Sequence, residues 1–570
     1  MAMGDPAHGF RGTSGRRLAW SRAGDRSALL WLAPFAVAAV YCGVFLAQLQ
    51  HNLWVIGWNS DYASGFTLPT TLVRAGTGGN TVIGTTGAWV ALWFGLLTAR
   101  LPLHRQLWEL APTGLFVLSA VAIGWSVSRV ANRRAGTLAA LIVLVASPRA
   151  LYFFMAPVAH NTVYPVTALL GAYLLWLCRV DVRRRSIAWA VPPIAGIALG
   201  TCIASDALVI VTGVIPFALT AILVLARRER RSRAMTASAL TTVIVALPVA
   251  KLTSTVMGSL GYVTLPPSTE TASLSTLSLH AELMWEGLKG LFNGYLSETG
   301  ASGLRSALGV VCELIMVIGL LCVLVAGVLT IVRLLRDGLR RLPQTRGRLA
   351  RNVHVIYWAG SAATTCVAFA LSQRTEYVHE SYYATLIFSV AAIVVLLPRP
   401  RGAGRWLLSG ATSIFFAASI VGLTSHYMQS YVLPIARTPG YASRLYVPSF
   451  ARYERQITAF ARAADAVEGY AGYGDASNLT WSSDERLLVR PVELCDLQVG
   501  VGICPFFLAR VPAWYRPERR RTFLLVDRTE IYLSALPGGL GKPIARRAFG
   551  PVEVYVYPYD LASRMGPLLD

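Results

Sequence analysis

Apolar runs close to the roughly 20 residues that cross a bilayer recur along the first three quarters of the chain, separated by short basic or polar stretches. They predict helices near residues 28–50, 110–130, 136–154, 163–178, 187–205, 207–226, 236–258, 305–332, 353–371, 382–397 and 406–425. The pattern is that of a polytopic α-helical membrane protein with about eleven transmembrane helices. From about residue 428 the long runs stop. A helix-like stretch from Gln456 to Val467 precedes strand-like segments LLVRPVEL, TFLLVD and VEVYVYPY, set apart by Gly, Pro and charged residues. These predict a small C-terminal α/β domain over residues 428–570.

Charge orients this arrangement. A net charge of +23 would ordinarily suggest nucleic acid, but the arginines lie mostly in short clusters between apolar runs, and lysine occurs only at Lys251, Lys289 and Lys542. The clusters read as topology signals, and no nucleic-acid partner is expected. With the basic N-terminus, residues 1–27, placed in the cytoplasm, the clusters at Arg129 to Arg134, Arg183 to Arg185, Arg227 to Arg233, Arg333 to Arg351 and Arg399 to Arg405 also fall inside, as the positive-inside rule requires. Counting the apolar stretch from Thr85 to Ala99 as a span would invert every later loop, so it is expected to be interfacial or re-entrant. An odd number of spans sends the tail across the bilayer. The expected product is a multi-pass plasma-membrane protein with a transmembrane region over 28–427, external loops at 51–109 and 259–304, and an extracytoplasmic C-terminal domain. The first helix is too long for the apolar core of a cleavable signal.

Two further features follow from that topology. Of the eight cysteines, Cys495 and Cys504 lie in the tail, where an oxidising compartment favours a disulfide, with two unlinked thiols as the alternative. In the loop 259–304, Leu277, Ala281, Met284, Leu288 and Leu291 recur at spacings of four and three, with Glu282, Glu286 and Lys289 elsewhere. Such a helix would lie in the interface plane.

The outer rim carries the candidate chemistry. Asp61, in WNSDYASG, follows the first helix and the interfacial anchors Trp54 and Trp58. It is either a solvated or helix-capping residue, or a partly desolvated carboxylate fit for general-base work. Asp206, near the outer end of the fifth span, either caps the next helix or faces a cavity or partner, because an ionisable group at membrane depth is costly. His160 and Asn161 sit in the loop joining the third and fourth spans, with Arg149 before them. The segment SQRTEYVHESYY places Arg374, Glu376, His379, Glu380 and Tyr382 at the outer ends of the ninth and tenth spans. An external arginine runs against the topological trend, and a guanidinium is the side chain that meets a phosphate in bidentate fashion, although pairing with Glu376 or Glu380 would also account for it.

Taken together, one inside-to-outside helix, an acidic first external loop, interfacial helices, about eleven spans and an external C-terminal domain resemble the GT-C superfamily of glycosyltransferases, which includes protein mannosyltransferases and mycobacterial arabinosyl and mannosyl transferases. The architecture covers essentially the whole chain, whereas the sequence-specific likeness is confined to Asp61, to LTARLPLHRQLWELAP (Leu97 to Pro112) and to RTEYVHESYY. In the tail, GYGDASNLTW, LLVRPVEL and AWYRPERRRTFLLVD look like tail domains of actinobacterial members. Tyr62 follows Asp61 where protein mannosyltransferases have paired acidic residues, which leaves the acceptor and any divalent cation open.

The resemblance implies an inverting transferase that takes a sugar from a polyprenyl phosphate in the outer leaflet and passes it to a cell-envelope glycan or glycolipid. It implies Asp61 as the general base and Arg374 with His379 on the donor phosphate. His160, Asn161, Asp206, Glu376 and Tyr382 would line the sugar or acceptor cavity. No cofactor is firmly implied. Two other classes stay open at this point, a lipid-linked-sugar flippase or polysaccharide transporter and a non-catalytic scaffold for envelope assembly. A transporter would tend to show repeated halves or mid-bilayer charges, and neither is visible.

Overall fold

The computed structural model describes residues 33–47, 67–73, 81–84, 88–156, 160–179, 187–227, 229–264, 271–297, 303–340, 345–372, 380–397, 403–424, 453–497, 500–507, 510–528, 530 and 532–566. Among them, four helices are long and apolar enough to cross a membrane: α4 (His104–Val130), α10 (Arg230–Ser259, apolar from Arg231), α12 (Leu304–Leu339) and α13 (Arg346–Leu371). Even the shortest, at 26 residues, is about 39 Å long against a hydrocarbon core of about 30 Å. A fifth span is formed if α5 (Arg133–Leu144) and α6 (Pro148–Met155), bent by 88°, are counted as one. Pro148 at the start of α6 and Ser147, whose hydroxyl accepts from the Ala150 amide, make that break.

The sequence pattern predicts about eleven spans, and the structure establishes four or five. Six shorter apolar helices lie on the other runs: α1 (Ala33–Ala47), α7 (Val163–Arg179), Trp189–Ser205 in α8 (Ile187–Ser205), Ile210–Leu225, Ser381–Val394 and Ser409–Leu423. Ser409–Leu423 belongs to α16 (Ala403–Thr424), which at 22 residues is long enough to cross a bilayer, and α8 has 19 residues; the other four are shorter. The stretch from Thr85 to Ala99 contains α3 (Ala88–Thr98), about 16 Å long, which is too short to span and packs its Phe94 against Trp108 of α4.

The bundle core is aromatic. Phe154 stacks on Phe116 at 5.0 Å and on Phe388 at 5.1 Å, and meets Tyr164 edge-on at 4.8 Å, joining α4, α6, α7 and α15 (Leu386–Val394). Below Asp206 the chain forms a π-turn over Ile210–Val214 before α9 (Ile215–Leu225). The carbonyls such a turn frees are taken by α13: Ser361 donates to Thr212 at 2.7 Å and Thr364 to Val211 at 2.7 Å. Thr167 and Thr212 share a hydroxyl bond of 2.9 Å, and Tyr357 donates to the Thr167 carbonyl at 2.6 Å. Two carbonyls of the turn are thereby satisfied inside the bundle, as a low-dielectric surrounding requires.

In the loop 259–304 the helix forms as expected, as α11 (Leu277–Leu291), and Leu288 and Leu291 of the predicted stripe are buried, with Leu277 and Met284 half-buried. His280, Leu283, Gly287, Leu288 and Leu291 point inward, while Ala281 is exposed. His280 Nδ1 donates to the Ala370 carbonyl at 2.7 Å, which brings a polar residue onto the buried face that apolarity alone does not select. Leu279 and Trp285 are left exposed on the other side, as an interfacial helix requires.

The tail folds as a six-stranded sheet in the order β5-β4-β3-β6-β8-β7. β4 (Leu488–Leu497), β3 (Glu468–Ala471) and β6 (Thr522–Asp527) are parallel, and β5 (Gly500–Pro505), β8 (Val552–Tyr557) and β7 (Ala545–Phe549) run antiparallel to their neighbours. Two helices belong to it, α17 (Glu454–Ala463) and α18 (Tyr473–Ser482). Gly469 in the central strand admits the Phe523 ring, which would come within 2.5 Å of a Cβ there. Cys495 and Cys504 form a disulfide across the β4–β5 hairpin.

This sheet is not separate from the segment between the first two apolar helices. One apolar core contains Leu68 and Leu72 from α2 (67–73), Trp89 and Leu92 from α3, and Val511, Trp514, Leu524 and Leu533 from the tail. β1 (Thr81–Gly84) pairs in parallel with β2 (Tyr262–Thr264) on one side. On its other side Val82 exchanges both backbone hydrogen bonds with Arg510, at 2.8 and 2.9 Å.

Candidate active site at the mouth of the bundle

Three segments singled out in the sequence meet at one place. His160 begins the turn into α7, its carbonyl accepting from the Val163 amide at 2.9 Å, and Asn161 donates to the Phe153 carbonyl at 2.9 Å, fastening the turn to α6. Asp206 follows α8, its amide donating to the Cys202 carbonyl at 2.9 Å. Its Oδ1 accepts from the Leu208 amide at 3.0 Å and its Oδ2 pairs with His160 Nδ1 at 2.7 Å. Asp206 thus accepts from the backbone of the following turn and has a buried side-chain partner. The pair is buried, with side chains 5% and 1% exposed, and a carboxylate taken that far from water needs such partners, since losing one costs about 3–5 kcal/mol.

Tyr382 completes the group. Its ring meets the His160 imidazole edge-on, with centroids 5.0 Å apart. It sits on the short helix α14 (Glu380–Tyr383), which is held by Tyr164 donating to the Ser381 carbonyl at 3.1 Å and by Phe369 packing edge-on against Tyr383 at 4.9 Å. His160 adopts φ +71, a left-handed conformation that costs a non-glycine residue of order 1–2 kcal/mol. Strain of this kind persists where the surroundings fix the side chain, and here the Asp206, Asn161 and Tyr382 contacts do so. Arg149, expected on the same side, stacks over Phe153 at 4.9 Å and Tyr152 at 5.9 Å. Asp61, Arg374, Glu376 and His379 lie outside the described residues.

The chain is similar in structure to an archaeal oligosaccharyltransferase. The match to AglB from Archaeoglobus fulgidus, solved with an inhibitory peptide and a dolichol-phosphate, has a TM-score of 0.40 at 11% identity and covers 80% of this chain. The same figures describe the Archaeoglobus fulgidus oligosaccharyltransferase tethered to an acceptor peptide. This chain spans 64% of the length of those proteins. No protein-family model and no curated protein matches it.

Two residues of the Leu97 to Pro112 stretch make long-range links that hydrophobic patterning does not mark. His104, at the start of α4, is buried between Thr98 at 2.7 Å and Thr70 at 3.3 Å, so that it joins α2, α3 and α4. Arg105 beside it reaches the tail, bonding Asp484 at 3.2 Å and lying 4.5 Å over the Trp481 ring. Both link segments distant in sequence, and a histidine or arginine in a polar stretch has no periodicity to mark it.

The tail has a second polar cluster, at the carboxyl ends of β3 and β6, where open α/β sheets usually take their ligands. Here that edge is filled from within. The Glu530 carboxylate accepts from the amides of Leu533 at 2.6 Å, Tyr532 at 2.7 Å and Gly474 at 3.4 Å, and so occupies the anion seat at the start of α18. Gly472 is required by this approach, because a Cβ there would lie 2.2 Å from Glu530 Oε2. Beside it Asp475 is fully buried, and neither of its oxygens has a hydrogen-bond partner among the described residues. Burial, reinforced by Asp527 and Glu530, pushes the Asp475 carboxyl well above the usual range. Glu530 is also raised by burial, with the amides from Leu533, Tyr532 and Gly474 opposing the shift. Among the described residues no group of three or more His, Cys, Asp or Glu side chains is placed to hold a metal ion.

Proposed function

We propose that this protein is a membrane glycosyltransferase that moves a sugar from a polyprenyl-phosphate donor to a cell-envelope glycan or glycolipid on the outer face, with inversion. The observation that carries this reading is the convergence of His160, Asp206 and Tyr382, drawn from three separate segments, into one polar group in which His160 and Asp206 are buried and Tyr382 is half-buried. Buried polar groups of this kind are costly in a membrane bundle and mark sites of chemistry or transport. Tyr382 also belongs to the segment whose Arg374 and His379 are assigned here to the donor phosphate.

In this reading the eleven apolar runs all cross the membrane, with the N-terminus in the cytoplasm and the tail outside. The tail disulfide supports that side, since such bonds persist in oxidising compartments. Asp61 takes the acceptor hydroxyl proton as that oxygen attacks the anomeric carbon, and Arg374 and His379 stabilise the charge that grows on the departing phosphate. His160, Asn161, Asp206, Glu376 and Tyr382 line the cavity.

The test is transfer of labelled sugar from polyprenyl phosphate by the purified chain. Asp61→Asn keeps shape and helix-capping capacity but cannot take a proton. Transfer should fall by about two to four orders of magnitude with melting behaviour retained. Undiminished transfer in that variant removes Asp61 from the mechanism, and no transfer by the wild type removes the reading as a whole.

A further inference from the structure

We infer that His160 is a ligand of the donor phosphate and that Asp206 is the positioning residue that keeps it in that role; the inference rests on the polyprenyl-phosphate reading above. Asp206 has both carboxylate oxygens engaged, Oδ1 by the Leu208 amide and Oδ2 by His160 Nδ1. A carboxylate accepts only, so Nδ1 carries the proton between them. What the couple leaves for chemistry is His160 Nε2, which makes no hydrogen bond to any described residue. The groups that face the imidazole are the Asp206 carboxylate from the α8–α9 junction and the Tyr382 ring from α14, while the Tyr164 hydroxyl is turned to the Ser381 carbonyl.

Such a couple suits a phosphate better than a sugar hydroxyl. Beside the Asp206 carboxylate a cationic imidazole would form a neutral pair, which offsets the penalty of a lone buried charge. An arriving phosphate then meets an N–H aimed by the carboxylate behind it, in the way a second partner fixes a metal-binding or catalytic histidine. Tyr382, which packs on the imidazole, stands in sequence three residues after His379 and eight after Arg374, the two residues proposed for the donor phosphate. During transfer the acceptor oxygen bonds the anomeric carbon as the bond from that carbon to the phosphate oxygen breaks. The electron pair of the broken bond stays on the phosphate oxygen, the hydroxyl proton goes to Asp61, and His160 keeps its proton while its Nε2–H donates a hydrogen bond to that oxygen.

The experiment measures binding of undecaprenyl phosphate and of undecaprenol to the full-length protein in detergent. Wild type should bind the phosphate more tightly than the alcohol. His160→Asn is the safest variant because asparagine tolerates the left-handed backbone at this position, and His160→Gln keeps more of the side-chain reach. Either should lower the phosphate preference about tenfold or more and leave alcohol binding unchanged. Asp206→Asn should lower it too, and the double variant should lose no more than His160→Asn alone, because Asp206 acts through His160. A merely structural role would shift both lipids together. An unchanged phosphate preference in both His160 variants overturns the inference while leaving the donor reading standing. Absence of any phosphate preference in the wild type overturns the donor reading, and the inference with it.

Discussion

Trp89 provides the sharpest test of the union between the tail and the segment joining the first two apolar helices. It is 1% exposed in the core that also contains Val511, Trp514, Leu524 and Leu533, more than 400 residues further along the chain. An aromatic side chain of this size buries about 150–250 Å², worth about 4–6 kcal/mol at 25 cal/mol per Å², and truncations of buried tryptophan to alanine cost about 3–5 kcal/mol. Taking the lower figure, Trp89→Ala shifts the opening equilibrium of this core by about two orders of magnitude. Hydrogen exchange followed by mass spectrometry on the detergent-solubilised protein reads this directly. Peptides covering α3 and the tail turn Pro512–Tyr515 should both exchange about a hundredfold faster. Trp89→Phe should stay near wild type, because the indole N–H it removes has no acceptor among the described residues. Faster exchange in α3 with unchanged exchange in the tail would refute the reasoning and make loop and sheet separate units.

Two further outcomes follow from the tail. Replacing Cys495 and Cys504 by serine opens a link between residues nine apart, which the loop-entropy model values at about 2.5 kcal/mol, so the tail should melt at a lower temperature, and an identical melt with and without reductant would contradict this. The raised Asp475 carboxyl means that the folded state holds a proton the unfolded chain releases, so stability should fall as pH rises above about 4, by up to about 1.4 kcal/mol per pH unit until the folded-state carboxyl ionises. Asp475→Asn cannot ionise and should flatten that slope, and a melting temperature with the same pH dependence in both proteins would show that Asp475 bears no such cost.

The elements legible in the sequence were those whose side chains sort by water. TFLLVD and VEVYVYPY are read as strands and are β6 and β8, because their residues are buried on both faces of the sheet. The central strand β3, EGYA, is invisible by the same rule: it is four residues long with a glycine, and its identity comes from Phe523 crossing that glycine, a long-range fact. β5 carries two glycines and β7 two exposed arginines, so neither shows an apolar face. The same limit governs the mouth of the bundle. His160, Asp206 and Tyr382 each stand out locally as a polar residue at a helix end, but the pairing over 46 residues between His160 and Asp206 depends on how α7 and α8 pack, which composition does not encode.

The closed edge of the tail sheet bears on where chemistry resides. In a doubly wound domain the crevice beyond the carboxyl ends of the strands is the ordinary ligand seat, and here Glu530 fills it, held by three amides. A ligand entering there would have to expel a buried carboxylate and leave those amides without an acceptor, at about 1–3 kcal/mol for each. The strand-like link from Val82 to Arg510 and the shared core around Trp89 instead commit the domain to the first loop. On the proposed transferase reading its contribution would therefore be geometric. The tail packs against helix 67–73 and β1, and helix 67–73 begins six residues after the proposed base Asp61 in the sequence. Preorganisation of this kind lowers the entropy cost of bringing a base to its substrate. Loosening of the core at Trp89 should accordingly reduce transfer even though Trp89 itself touches no reacting atom.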